Sequence, residues 1–173
     1  MIFLVKKAMN HDTDAFIELI RQQKQQLYKI AKSYLRSEYD IADVLQDTIL
    51  ACYENLSTLR DPKYFKTWLI RILINQCKDF LKKNKPCCAL DAITEPAVSD
   101  STQSQLEFEE LLFSLDEKYR IVLVLYYVEG FKIKEIAQIL DMNENTVKTR
   151  LARGREACLK QYSWNPSQKG ECL

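Results

Sequence analysis

Turn-forming residues are so scarce in this chain that they nearly settle its fold class. Three glycines (Gly130, Gly154, Gly170) and four prolines (Pro62, Pro86, Pro96, Pro166) punctuate 173 residues, whereas a sheet-rich chain needs a turn signal about every eight to twelve positions. An all-helical (all-α) fold is expected. With 47% hydrophobic and 28% charged residues there is apolar material for real cores, and a disordered or collagen-like chain is excluded. The longest apolar run, Ile121–Val128, is eight residues, far short of the roughly 20 that a bilayer-spanning helix takes. Near the N-terminus, Ile2–Val5 is followed rather than preceded by Lys6 and Lys7, the wrong order for a secretory signal, so the cytoplasm is the expected location. There the six cysteines (Cys52, Cys77, Cys87, Cys88, Cys158, Cys172) are expected to be free thiols. No Cys-x-x-Cys occurs, and His11, the sole histidine, has no ligand spacing to a cysteine. Neither a metal site nor a cofactor is therefore expected, and His11 reads as a solvated residue near a helix start.

The formal net charge of +1 conceals large blocks of opposite sign. Residues 1–36 carry seven bases and three acids. Residues 37–59 hold Glu38, Asp40, Asp43, Asp47 and Glu54 with no base, and 60–85 then hold eight bases against two acids. Residues 86–117 carry eight acids and no Lys or Arg, while 143–160 are basic again, five against two. Around 85–105 the helical period vanishes, Pro86 and Pro96 appear, and small polar residues dominate. That stretch reads as an exposed acidic linker between two small helical domains, 1–84 and 106–162, with a tail at 163–173.

In the first domain, Asp12 or Thr13 is the expected cap of a long helix through Phe16, Leu19, Ile20, Leu27, Ile30, Ala31 and Tyr34, with a break near Gln22–Gln26. Asp40 is the expected cap of a second helix. Ala42, Leu45, Ile49, Cys52 and Leu56 form its apolar face, and Asp43, Gln46, Asp47, Leu50 and Glu54 the opposite one. Asp61-Pro62 opens a third, with Phe65, Trp68, Leu69, Ile72, Gln76 and Phe80 at core spacing. Arg71, Asn75, Lys78 and Lys82 make a basic stripe beside Lys63, Tyr64 and Lys66, groups suited to phosphates and base edges.

In the second domain Leu111, Leu112, Leu115, Ile121, Val122, Leu123, Leu125, Tyr126 and Val128 form the expected core, closed near Gly130. Then Ile133, Ile136, Ala137, Ile139 and Leu140 mark a short helix, Asp141-Met142-Asn143 a turn, and Val147, Leu151 and Cys158 the buried stripe of a helix capped by Asn143. Two short helices joined in this way are a helix-turn-helix. The second exposes Asn145, Thr146, Lys148, Thr149, Arg150, Arg153 and Arg155, donors of the kind that read major-groove base edges and phosphates.

Four stretches in order, Tyr39-Asp-Ile-Ala-Asp-Val-Leu-Gln-Asp-Thr-Ile-Leu, Phe65-Lys-Thr-Trp-Leu-Ile-Arg-Ile-Leu-Ile-Asn75, Gly130-Phe-Lys-Ile-Lys-Glu-Ile-Ala137 and Thr146-Val-Lys-Thr-Arg-Leu-Ala-Arg-Gly-Arg155, resemble bacterial sigma factors of the extracytoplasmic-function group. The resemblance covers nearly the whole chain. It implies a non-enzymatic protein that binds core RNA polymerase and directs it to promoters. In the family the second helix of the first domain docks on the polymerase clamp, which implies Asp43, Gln46, Asp47 and Leu50 as polymerase contacts. The following loop and helix melt the minus-ten element and capture a base, which implies a loop at Asn55–Arg60 and, as DNA contacts, Asn55, Arg60, Lys63, Tyr64, Lys66, Trp68, Arg71 and Asn75. The helix-turn-helix binds the minus-thirty-five element, placing Asn145, Thr146, Lys148, Thr149, Arg150, Arg153 and Arg155 on DNA. The acidic linker would thread a basic polymerase channel. An anti-sigma factor, often membrane-anchored in the family, is the implied inhibitor, and no small-molecule substrate is implied.

The chain departs from the family pattern at Ala42 (usually an acid), Ile49 (usually Phe), Lys132 (usually a Ser or Thr cap) and Asp141 (usually Gly). The absent cap at Lys132 is expected to weaken its helix by about 1 kcal/mol. Asp at 141 tolerates the left-handed backbone better than most residues, so the turn is expected to survive. A helix-turn-helix repressor or activator acting as an operator-binding dimer is the alternative, and the acidic-then-basic order of residues 39–83 counts against it.

Overall fold

The computed structural model of the protein describes residues 1–84 and 110–164. The linker expected at 85–105, with Cys87 and Cys88, lies outside the described residues, as do Cys172 and the tail from residue 165. Among the described residues every regular element is helical, as the turn scarcity predicted. They form two compact units, one on residues 1–84 and one on most of 110–164.

The first unit contains α1 (Ile2–Met9), α2 (Thr13–Lys32), α3 (Glu38–Asn55) and α4 (Phe65–Lys83), with 3-10 turns at Leu56–Thr58 and Pro62–Tyr64. α2 packs on α1, α3 and α4, and α3 packs on α4. Leu19, Leu27, Ile30, Ile41, Phe65, Leu73 and Ile74 are all but fully buried there, each contributing roughly 1.5–3 kcal/mol by leaving water. Between α1 and α2 the chain closes through His11, exposed as expected and held at φ 64°. The His11 N–H donates to the Ala8 carbonyl at 3.1 Å and the Asp12 N–H to that of Lys7 at 3.2 Å, which satisfies the end of α1. Replacing His11 by Gly should relieve the left-handed strain and raise the stability of this unit by about 0.5 kcal/mol, a small net gain after the extra chain entropy of glycine. A thermal melt reads it, and an unchanged midpoint would mean that the closure holds His11 without strain.

Asp12 caps α2 as expected, its Oδ1 accepting the Ala15 N–H at 2.9 Å. The break expected near Gln22–Gln26 is absent, and α2 runs unbroken. Gln and Lys are good helix formers, and Leu19 and Leu27 hold both flanks of the polar run in the core. α3 begins earlier than its sequence suggests. Ser37, not Asp40, is the cap, its Oγ accepting the Asp40 N–H at 3.4 Å, and Asp40 lies in the first turn where its charge suits the positive helix end.

The core face of α3 is also rotated from the expected one. Ile41, Val44, Thr48 and Cys52 are buried, whereas Ala42 is exposed and Leu45 and Ile49 are half-buried. Thr48 is hidden from a hydrophobicity count, yet it sits at 0% exposure because its hydroxyl donates to the Val44 carbonyl at 2.7 Å. Burial pushes the Cys52 thiol up to about 12, so it stays protonated at any physiological pH. Among the described residues, Cys52, Cys77 and Cys158 stand outside any disulfide. On α4, Phe65 and Leu69 are core as expected, but Ile70, Leu73, Ile74 and Cys77 complete the buried face. Trp68, Ile72, Gln76 and Phe80 are only half-buried.

The second unit contains a helical segment at 110–114, α5 (Glu117–Leu123), a π turn (Val124–Val128), α6 (Ile133–Leu140) and α7 (Glu144–Trp164). α5 packs on α7, and Val122, Leu125, Ile136 and Val147 are fully buried. Tyr126 and Val128, expected in the core, are exposed. The Glu129 N–H donates to the Val124 carbonyl five residues back at 3.0 Å, and that wider ring rotates the side chains of the turn out of register with the α5 core face. Gly130, at φ 70°, ends the element as expected.

α6 starts without a Ser or Thr cap, but the Glu135 carboxylate accepts the Lys132 N–H at 2.8 Å. Half of a capping box thus replaces the missing hydroxyl. Asp141 adopts φ 54°, and the Met142 N–H donates to the Ala137 carbonyl at 3.0 Å, so the turn survives with Asp in the glycine position. Asn143 caps α7 as expected, its Oδ1 accepting both the Thr146 N–H at 2.7 Å and the Thr146 hydroxyl at 2.8 Å.

Candidate functional site

Three surfaces gather the side chains that the sequence singled out. The first lies on α3, where Asp43, Gln46, Asp47 and Leu50 are all exposed and share one face at helical spacing. Leu50 is 56% exposed, a large apolar side chain set among carboxylates. Alongside runs a groove of about 580 Å³ between α2 and α3, floored by Phe16, Ile20, Leu27, Leu45, Ile49 and Tyr53. Gln46 and Leu50 belong to its α3 rim, Arg21 and Lys24 to its α2 rim. The Phe16 and Tyr53 rings meet edge to face, with centroids 5.1 Å apart.

Sequence reasoning missed this groove because it assigned Leu45 and Ile49 to the core. A signal was present: beside Ala42, Leu45, Ile49 and Tyr53 the helix carries a second apolar line at Ile41, Val44 and Cys52, more than one packed face needs.

The second surface is the loop after α3 together with one face of α4. Leu56 and Leu59, at 4% and 6% exposure, pin the loop to the core and leave Asn55 and Arg60 outside. Asn55 is committed to the backbone: its Nδ2 donates to the Ala51 carbonyl at 2.8 Å, and its own carbonyl accepts the Thr58 hydroxyl at 2.7 Å. Asp61 accepts the Lys63 N–H at 3.0 Å and draws the Lys63 Nζ to 3.7 Å, which orders the Pro62–Tyr64 turn ahead of α4. Tyr64, Trp68, Arg71 and Asn75 then follow at steps of four, three and four, one side chain per turn along a single face. Tyr64 is 53% exposed, and Trp68 is half-buried with its ring 6.3 Å from Phe65. Lys66 stands off this line, half-buried.

The third surface surrounds the start of α7. Asn145, Thr146, Thr149, Arg150 and Arg153 line one polar notch of about 460 Å³. Lys148 and Arg155, also expected at the site, are exposed but do not line the notch, because they sit roughly 100–160° around the helix from Thr149, Arg150 and Arg153. The Thr149 hydroxyl donates to the Asn145 carbonyl at 2.9 Å and therefore presents its lone pairs outward. Lys118 and Tyr119 of α5 line the same notch, and the sequence singled out neither.

Two family models match the chain: Sigma-70 region 2 over residues 19–86 and Sigma-70, region 4 over residues 105–158. Among curated relatives, the RNA polymerase sigma factor SigV of Bacillus subtilis (strain 168) is 34% identical, over 79% of this chain and 84% of that protein. The ECF RNA polymerase sigma factor SigW of the same strain is 30% identical, over 91% and 94%. Among solved structures, CnrH in complex with the cytosolic domain of CnrY gives a TM-score of 0.75 at 26% identity, covering 95% of this chain and 97% of that one. The sigma factor RpoE in complex with the anti-sigma factor NepR, from Bartonella quintana, shares the fold at a TM-score of 0.74 and 18% identity, over 87% and 98%.

Proposed function

The chain belongs to the sigma-70 family, in its extracytoplasmic-function group, and on that premise we propose how its three surfaces divide the work of promoter-directed transcription initiation. It binds core RNA polymerase and directs it to promoter DNA. The carrying observation is the first unit's pairing of an exposed acidic stripe on α3 with a basic, aromatic and amide stripe on α4. A unit that only dimerised or sensed a ligand has no use for both.

In this reading Asp43, Gln46, Asp47 and Leu50 meet the polymerase. The adjoining groove receives apolar side chains of the same partner, so the carboxylates set orientation and association rate while the groove supplies buried area. Arg60, Lys63 and Lys66 hold the DNA backbone at the minus-ten element, on a loop that Asn55 shapes and beside which its amide oxygen stays available to DNA. Tyr64, Trp68, Arg71 and Asn75 receive bases as the duplex opens. Extruding a base costs a few kcal/mol of stacking, and an aromatic face returns about 1–3 kcal/mol per stacked base, so two rings one turn apart approach balance and Arg71 and Asn75 add hydrogen bonds. In the second unit Asn145, Thr149, Arg150 and Arg153 enter the major groove of the minus-thirty-five element, with Thr146 fixing the helix start and Lys148 and Arg155 reaching flanking phosphates.

The domain boundaries at 84 and 106 serve this division, each half reading one promoter element. No bond chemistry is asked of the chain, and the location that fits is the cytoplasm, with the polymerase. An anti-sigma factor is its inhibitor, as NepR accompanies RpoE. Run-off transcription tests the reading: core polymerase with this chain should initiate at a promoter carrying both elements, whereas core alone should not. A chain that fails to bind core polymerase, or binds a palindromic operator as a dimer with high affinity, overturns it.

A further inference from the structure

Lys118 and Tyr119 stand in the first turn of α5, yet they share a notch with Asn145, Thr149, Arg150 and Arg153 of α7. Gly154 explains how the two helices come so close: a Cβ at that position would lie 3.3 Å from Tyr119 Cβ and 3.0 Å from Leu123 Cδ1. Tyr119 is thereby fixed against α7, and the Lys118 Nζ lies 4.9 Å from its ring centroid. The Nζ also lies 2.9 Å from Asp116 Oδ2, with both side chains more than half exposed. Asp116 occupies the cap position of α5, but its carboxylate makes no cap hydrogen bond and is engaged by Lys118 instead. Its hydrogen bond and charge raise the Lys118 ammonium above its usual range, while the nearby charge of Arg150 opposes that shift. Lys118, Arg150 and Arg153 thus converge on one polar cleft, with the carboxylate of Asp116 holding Lys118.

We infer that Lys118 is an arm for the DNA backbone: it leaves Asp116 to grip a phosphate beside the base-reading face of α7, and Asp116 is the internal stand-in that holds it until DNA arrives. This rests on the assignment of the second unit to the minus-thirty-five element. The tyrosine ring aligns the ammonium stem, and the exchange replaces one exposed carboxylate with one phosphate, so no proton or covalent bond changes. A phosphate contact carries no sequence information but releases counterions, which makes its signature a salt slope rather than a base preference.

The test uses the full chain bound to core polymerase, with fluorescence anisotropy on promoter duplexes between about 50 and 200 mM salt, the range over which such slopes are read. Lys118→Gln should reduce the slope of log K against log salt by about 0.9 and weaken binding several-fold near physiological salt, with the ranking of minus-thirty-five variants unchanged. Asp116→Asn should tighten binding at every salt concentration, by about two- to fivefold, with the slope kept. An unchanged slope in Lys118→Gln, or an altered base ranking, overturns the arm. Weaker binding by Asp116→Asn overturns the stand-in. A wild-type holoenzyme that does not discriminate minus-thirty-five sequences overturns the assignment beneath both, an outcome separate from the behaviour of either variant.

Discussion

Replacing Asp43 and Asp47 together by lysine should cut the affinity of the chain for core RNA polymerase at least about a hundredfold, because like-charge juxtaposition at an interface costs several kcal/mol. Both positions are exposed on α3, and surface substitutions away from packed features usually move stability by no more than about 0.5 kcal/mol. The melting curve should therefore stay nearly unchanged. A binding titration against core polymerase reads the first effect and circular dichroism the second. Salt separates the mechanism further: the wild-type association rate should fall steeply with ionic strength, and that dependence should disappear in the double variant. Affinity retained within threefold would remove these carboxylates from the interface and leave the α2–α3 groove as the contact to test next.

Gly154→Val should disable the second unit while sparing the first. The α carbon of Gly154 sits where α7 crosses α5, and the side-chain atoms of Leu123 and Tyr119 already approach within 3.0–3.3 Å of where a Cβ would lie. A branched side chain there overpacks the contact, at a cost of about 1–3 kcal/mol or more, and it pushes apart the two helices that frame the polar notch. Thermal unfolding followed at one probe in each unit should show the early loss of the second alone, and minus-thirty-five discrimination should vanish. Gly154→Ala sets the sign of the balance. Its helix propensity is better by about 1 kcal/mol, and against that the flexible end of Leu123 at 3.0 Å and the Tyr119 Cβ at 3.3 Å must each give a little, so it should be near neutral. Equal tolerance of both residues would show that the close approach is not what positions α7.

The features that the sequence disclosed are those with a local cause. Asp12 and Asn143 each carry an acceptor three residues before the N–H it receives, so both caps could be read directly. α7 showed itself through its Val147 and Leu151 stripe, both buried as expected, behind the Asn143 cap. Errors arose where tertiary packing chose among several apolar positions. Thr48 is core because its hydroxyl is satisfied by its own helix, and that rotates α3 and frees Leu45 and Ile49 to line a groove. Tyr126 and Val128 face outward because one wide turn shifts the register, an effect that apolar periodicity over 121–128 does not disclose. Lys118 escaped notice because its partners lie some 30 residues away in sequence and only the α5–α7 crossing brings them together.

α1 lies ahead of the segment that matches the family, which begins at residue 19. Val5 and Ala8 of α1 are nonetheless buried, and the helix touches α2 and both 3-10 turns that carry the loop proposed to meet melting DNA. A fragment trimmed to the family boundary keeps every α3 and α4 side chain assigned to polymerase or promoter in this unit, and of the groove-lining residues it loses only Phe16. It also removes the wedge behind the loop and shortens α2 by its first six residues, Thr13 to Glu18. Such a fragment is expected to hold on to polymerase better than it opens DNA, which makes the position of the first cut a means of separating the two activities.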